Sequence, residues 1–283
     1  MREGMTTPAF AETTATFHPL TGKVKDLHSF LSSRRGRMMP EQQLNQTFGM
    51  LVDTARTPIR LGEAHTILAE LDSDNTLSEL HHLCSEGEFE LEKHWAERIR
   101  TADNMKQEMR KFPYWNNYLK LAKLEMNALR SVMPCISSML FAGSGPLPLS
   151  AYMFAAHYGM KVTNVEAEEY AADCSVAWMD PILGDRKIPC HHMEIQEFTN
   201  FAGFDVVMMA ALVGLTPAAK QEIIAHLHAH MQPGQLLMVR SVKGLRRLLY
   251  PEVTAKDLKG FEIIKEVHPR GEVVNSAVIA RRV

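Results

Sequence analysis

Two glutamates stand on helix faces that are otherwise apolar. At about 100° per residue, Leu80, Leu83, Gly87, Leu91, Trp95 and Ile99 share one broad stripe, and Glu88 projects between Trp95 and Ile99. Glu86 points to solvent and Glu90 sits at the edge. Farther on, Tyr118, Leu121, Ala122, Ala128 and Leu129 share a face with Glu125. Apolar surroundings penalise the charged form of a carboxylate, which raises its pKa toward the range that suits a general base. A rim carboxylate paired with a neighbouring Lys or Arg would give the same pattern. Between the two stripes lies Lys111-Phe112-Pro113-Tyr114-Trp115-Asn116-Asn117-Tyr118. Its aromatics and amides, grouped around a proline, can line a pocket for a purine and a small polar substrate. They can equally pack an interhelix corner.

A second constellation points to a ligand of definite type. An apolar run from Ile136 to Ala142 leads into Gly143-Ser144-Gly145-Pro146-Leu147-Pro148-Leu149-Ser150, and a helix-like segment follows. Strand, glycine turn and helix is how an α/β sheet opens a nucleotide or S-adenosylmethionine site. The third glycine of a dinucleotide fingerprint is missing. Pro146 and Pro148 have no N–H to offer a pyrophosphate, so the turn favours a cofactor without phosphates, S-adenosylmethionine. Gly143, Ser144, Gly145, Pro146 and Leu147 are the contacts expected of it. Glu166 closes the next apolar run and can accept hydrogen bonds from ribose hydroxyls; capping the following helix is its other reading. Ala211 and Leu212, at the end of the fourth run, are placed to leave room for the ligand. Arg240 and Ser241 end the fifth run at the crevice edge, where Arg240 could hold a substrate carboxylate bidentately or form a structural ion pair.

These residues need elements to position them. Helical periodicity falls near 22–35, 41–55, 61–72, 76–100 and 116–132. From 133 onward the character changes. Strand-like runs occur at 136–142, 161–166, 187–193, 204–211, 235–241, 261–267 and 273–281, with helical segments at 147–159, 167–178 and 217–231. The alternation predicts a parallel sheet. The last two runs are joined by a short connection, His268-Pro269-Arg270-Gly271-Glu272, so an antiparallel strand ends the sheet. The expected architecture is α/β: residues 1–16 a loose tail, 17–132 an all-helical domain, and 133–283 a Rossmann-like S-adenosylmethionine-dependent transferase sheet.

Bulk properties narrow the partners. The chain has 283 residues, 46% hydrophobic and 23% charged, with a net charge of −2 that offers no nucleic-acid surface. No apolar run is long enough to span a bilayer. The N-terminus carries Glu3 and Glu12 and no apolar core, so it does not read as a secretory signal. Cys84, Cys135, Cys174 and Cys190 are scattered and read as reduced thiols of a cytoplasmic protein. His191 and His192 would point to opposite faces of a strand. His226 and His230 share a helix face without a visible third ligand, so no metal is expected. Small-molecule substrates are the expected partners, and a homodimer is compatible with the sequence.

The chain resembles the nicotianamine synthases and their bacterial relatives that make opine-type metallophore precursors. The likeness rests on Phe112-Pro113-Tyr114-Trp115-Asn116-Asn117-Tyr118 with Leu124-Glu125, on Gly143 to Leu149, on Ala210-Ala211-Leu212-Val213-Gly214, on Val239-Arg240-Ser241 with Leu249-Tyr250-Pro251, and on Gly271-Glu272-Val273-Val274-Asn275-Ser276. The resemblance implies transfer of 3-amino-3-carboxypropyl groups from S-adenosylmethionine to amines, with release of methylthioadenosine, to build a metal-chelating metallophore. It maps a catalytic glutamate and tyrosine onto Glu88 and Tyr114, with Glu92 and Tyr118 at the same separation as the other possible register. It gives Tyr118, Asn117, Glu125, Arg240 and Ser241 substrate-binding roles. The Glu–Tyr pair points to full nicotianamine synthesis. Trp115 and Lys243 depart from the plant pattern and leave the acceptor open, with a single transfer onto histidine as the alternative; a small-molecule methyltransferase is a separate rival reading.

Overall fold

A computed structural model of the protein describes residues 18–283; the expected tail at 1–16 lies outside the described residues. The first part is helical: α1 (Pro19–Ser32), α2 (Gln42–Ala55), α3 (Leu61–Asp72), α4 (Thr76–Arg100), α5 (Met105–Met109) and α6 (Trp115–Val132). Then come β1 (Ser138–Ala142), α7 (Leu149–Tyr158), β2 (Lys161–Glu166), α8 (Glu169–Leu183), β3 (Cys190–His192), β4 (Val206–Met209), α9 (Pro217–His230), β5 (Leu236–Ser241), β6 (Phe261–Val267) and β7 (Ser276–Arg282). The strands form one sheet in the order β3-β2-β1-β4-β5-β7-β6. β1 to β5 pair in parallel, and β7 runs antiparallel between β5 and β6. This is the α/β sheet with a C-terminal antiparallel strand that the alternation of elements predicts.

Several expected boundaries shift for physical reasons. The third strand begins only at Cys190, because Pro189 has no N–H to give the ladder. The fourth ends at Met209; Ala210 donates once more to the Ala142 carbonyl, and the chain then turns away. The seventh begins at Ser276, which leaves Val274 and Asn275 free to line a cavity. α8 runs through Pro181 to Leu183, beyond the expected end. α5 was not expected; Asn104 caps it by accepting from the Gln107 N–H.

Two joints hold the helices on the sheet. Val242, Leu245, Leu248, Leu249 and Val274 are buried in the core formed by α1 to α4. At about 1.5–3 kcal/mol per buried side chain, this burial outweighs the single hydrogen bond between His81 Nε2 and the Arg247 carbonyl, 2.7 Å. The joint carries the segment after β5, and Tyr250 with it, against α4. Trp95, Ile99, Phe112, Met126 and Leu129 form the other joint, sharing a core with Met139 and Phe141 of β1 and Met153 of α7.

Candidate active site

A cavity of about 890 Å³ opens where the carboxyl ends of β1, β2, β4 and β5 meet α2, α4 and α6. The strand order reverses between β1 and β4, and ligands of open α/β sheets bind at such a switch point. Gly143 to Leu147, Glu166 and Ala210 to Val213 line this side. A Cβ on Gly143, at φ +75°, would come within 2.2 Å of Val213 Cγ2. One on Gly145, at φ +70°, would come within 2.6 Å of Glu92 Oε2. The left-handed backbone conformation therefore calls for glycine at both positions, and both lie in close contact with the opposite side chains. Glu166 ties the turn to β2: its Oε2 accepts from the Gly145 N–H at 2.7 Å and its Oε1 from the Glu168 N–H at 3.1 Å. Lys220 secures the loop after β4. Its buried Nζ donates to the Val213 carbonyl at 2.7 Å, and burial lowers its pKa to about 8.

The opposite wall holds two carboxyl groups one helical turn apart on α4. Glu92 Oε1 accepts from Tyr118 Oη at 3.0 Å, and Glu88 Oε1 accepts from Tyr250 Oη. Both carboxyls face the cavity yet are surrounded by protein. Loss of hydration raises Glu88 to about 7, with the Tyr250 hydrogen bond and the Arg240 charge pulling the other way. The same loss, reinforced by the negative charge of Glu88, raises Glu92 to about 8 against the pull of its Tyr118 hydrogen bond. The two are close enough to titrate as a pair. Tyr114 lines the cavity near Glu88, whose charge, after burial, raises the phenol's pKa. The hydrogen bonds link Glu88 to Tyr250 and Glu92 to Tyr118, and not Glu88 to Tyr114.

The other expected site residues divide. Asn117, Tyr118 and Arg240 line the cavity; Glu125 and Ser241 do not. Glu125 is fully buried and accepts from Arg240 Nε at 2.7 Å and Nη2 at 3.0 Å, while Arg240 Nη2 also donates to Ser150 Oγ at 2.6 Å. The reading of Glu125 as a substrate contact is therefore corrected: the fold uses it to neutralise Arg240. Ser241 is corrected likewise, because its Oγ donates to the Val253 carbonyl and accepts from the Val253 N–H, away from the cavity. Tyr250 was absent from the expected site, although Leu249-Tyr250-Pro251 was part of the resemblance. His226 and His230 stack with centroids 4.3 Å apart, and among the described residues no three His, Cys, Asp or Glu side chains converge as a metal site.

Comparison with known proteins fits this geometry. The sequence profile of the family described as nicotianamine synthase protein matches residues 14–283. Probable nicotianamine synthase 4 of Arabidopsis thaliana is 34% identical over 275 residues, covering 93% of this chain and 82% of its own length. Nicotianamine synthase of Solanum lycopersicum is 32% identical over 274 residues, covering 94% and 84%. Among solved structures, MtNAS in complex with MTA and tNA superposes with a TM-score of 0.84 at 24% identity, over 95% of this chain and 100% of that one, and thus shares the fold. A mutant of MtNAS in complex with S-adenosylmethionine superposes at 0.81. A match running almost end to end, on a cavity that gathers the same sequence blocks, leads to one conclusion: the chain belongs to the nicotianamine synthase family.

Proposed function

We propose that the protein transfers 3-amino-3-carboxypropyl groups from S-adenosylmethionine to amines, releases methylthioadenosine, and joins the groups into nicotianamine. The observation that carries this reading is the facing of two walls. A glycine turn without a dinucleotide's third glycine stands opposite the Glu88–Glu92 pair, close enough that a Cβ on Gly145 would come within 2.6 Å of Glu92 Oε2. The names of the relatives and the ligands of MtNAS, MTA and S-adenosylmethionine, agree with it.

In this reading Gly143 to Leu147 and the loop at Ala211 and Leu212 hold the nucleoside, and the remaining lone pairs of Glu166 accept from the ribose hydroxyls. A sulfonium carries three electrophilic carbons, and the position of the amine selects which one reacts. Glu88 serves as base. With a pKa of about 7 it is partly ionised at neutral pH and can take the proton of an acceptor ammonium. The freed nitrogen lone pair forms the new N–C bond to the aminobutyrate carbon as the C–S bond breaks, and the sulfur leaves as a neutral thioether. Glu92 and Tyr118 place a polar edge beside the glycine turn, where the sulfonium's positive charge lowers the carboxyl pKa values and favours their ionised form. Tyr114 contributes to the same wall. The partners are small molecules, and the compartment is the cytoplasm.

The test is to incubate the protein with S-adenosylmethionine alone and with added histidine, and to weigh the products. Nicotianamine and methylthioadenosine from S-adenosylmethionine alone are expected. A single-transfer product that requires histidine would replace this reading with the opine-type one. Release of S-adenosylhomocysteine would identify a methyltransferase instead.

A further inference from the structure

One side of the cavity carries positive charge that neither the glycine turn nor the Glu88–Glu92 pair uses. Phe48, Val52 and Arg56 recur every four residues along α2 and its end, so they lie on one face, and all three line the cavity. Phe48 is pressed against α4, where a Cβ on Gly87 would come within 2.3 Å of its ring. That contact sets this face of α2 beside Glu88. Arg56 lies two turns farther along.

Around Arg56 the chain gathers more cations than anions. Arg246 donates from Nη2 to the Gly271 carbonyl at 3.1 Å and is held below its ordinary pKa by burial and then by the Arg56 charge. Lys120 of α6 pairs with Glu272, and Glu272 also senses Arg56. The direct ion pair of Arg56 is with Asp53, at 3.6 Å, whose side chain is 78% exposed. Such a surface pair contributes little. Three cations, Arg56, Arg246 and Lys120, thus stand beside two carboxylates, and of these cations Arg56 alone lines the cavity.

Unpartnered polar atoms point the same way. Arg56 Nε, Asn275 Nδ2 and Asn117 Oδ1 are buried and have no hydrogen-bond partner among the described residues. Their residues all line the cavity, and Asn275 is only 7% exposed. Folded proteins rarely leave buried polar atoms so. Two are donors and one is an acceptor, which suits a ligand with an anionic end and an N–H end. Lys120 and Asn117 are one turn apart on α6, and Glu272 and Asn275 are three residues apart, so the Lys120–Glu272 pair brings the two amides to one region.

We propose that Arg56, Asn275 and Asn117 form a subsite for the α-amino-acid end of the acceptor, with its carboxylate on Arg56 and Asn275 and its amino group on Asn117. The assignment rests on the transfer reaction proposed above. The zwitterion can be a free amino acid or the carboxyl-bearing end of the growing chain.

Calorimetry on the full chain saturated with methylthioadenosine tests this, with nicotianamine and L-histidine as separate probes. Binding of nicotianamine marks the growing chain as the occupant, and binding of histidine marks a free amino acid; either supports the subsite if Arg56 governs it. Arg56→Gln should weaken the bound probe by about tenfold or more. Arg56→Lys should recover part of the loss, because it keeps the charge and loses the planar fork. Asn117→Ala should weaken the probe less. S-adenosylmethionine affinity should be unchanged in all three, which also reports correct folding. Arg56→Gln binding the probe as tightly as wild type would overturn the subsite, and so would a wild-type protein that binds neither probe. Failure of the transfer reading is read separately, as no methylthioadenosine released from S-adenosylmethionine, because probe binding needs no turnover.

Discussion

Glu88 and Glu125 look alike in the sequence, each a carboxylate set in an apolar helical stripe, and the fold gives them opposite fates. Glu125 is fully buried and meets the Arg240 guanidinium in a two-pronged ion pair, with Ser150 taking a further guanidinium N–H. Its charge is balanced, and the pair braces α6 against β5. Glu88 receives a tyrosine hydroxyl and no direct cation, has Glu92 one turn away, and keeps a raised pKa of about 7. Burial alone therefore does not make a carboxyl reactive. A carboxyl that faces a cavity and is closed into no ion pair keeps its raised pKa even with the Arg240 charge nearby, and so stays able to exchange a proton. One that closes an ion pair is part of the frame.

Substitutions at the two positions should separate these roles. The largest effect is expected from Glu88→Gln, which keeps the shape but cannot take the proton. Methylthioadenosine release should fall about 10²–10⁴-fold, with S-adenosylmethionine affinity, read by calorimetry, little changed. Unimpaired turnover would show that Glu88 is as structural as Glu125, and Glu92→Gln would then be the variant to assay. Glu125→Gln should act on stability instead. Removing one partner of a buried ion pair costs about 3–5 kcal/mol, visible as a lower midpoint in thermal unfolding. An unchanged midpoint would mean that Arg240 has another counter-charge.

The pH dependence sharpens the contrast. In the free protein Glu88 and Glu92 hold protons up to about 7 and about 8, whereas in the unfolded chain they release them near 4.5. Their contribution to stability is thus present below the unfolded value and is lost as pH rises through 7 to 8. Glu92→Gln should consequently gain stability over wild type above pH 8, with the difference shrinking toward pH 5, as measured by denaturant unfolding. Turnover should run the other way, rising through about pH 7 as the base ionises. The smallest effect is expected from Tyr250→Phe. The Tyr250 hydrogen bond lowers the Glu88 pKa, so its loss should move the acid limb of the rate profile to higher pH with little change at alkaline pH. A limb that stays in place would detach Tyr250 from Glu88.

Much of this protein was fixed by its sequence. Period-3.6 stripes before residue 133 and alternating apolar runs after it placed the main helices and all seven strands, because those patterns reflect which faces must be buried. The glycine turn was legible too, since only glycine fits the left-handed backbone at Gly143 and Gly145. Glu166 at the end of β2 followed from the strand pattern. The partners of the charged groups were not legible. Glu88 meets Tyr250 across 162 positions, and Glu125 meets Arg240 across 115. Periodicity assigns a residue to a face but cannot say what packs on it, and the ionisation of a buried carboxyl depends on that neighbour. Tertiary structure alone decided that Glu125 and Arg240 neutralise each other, that Ser241 turns to Val253, that Glu92 and Tyr118 as well as Glu88 stand at the cavity, and that Arg56, from a helix far earlier in the chain, reaches the same chamber.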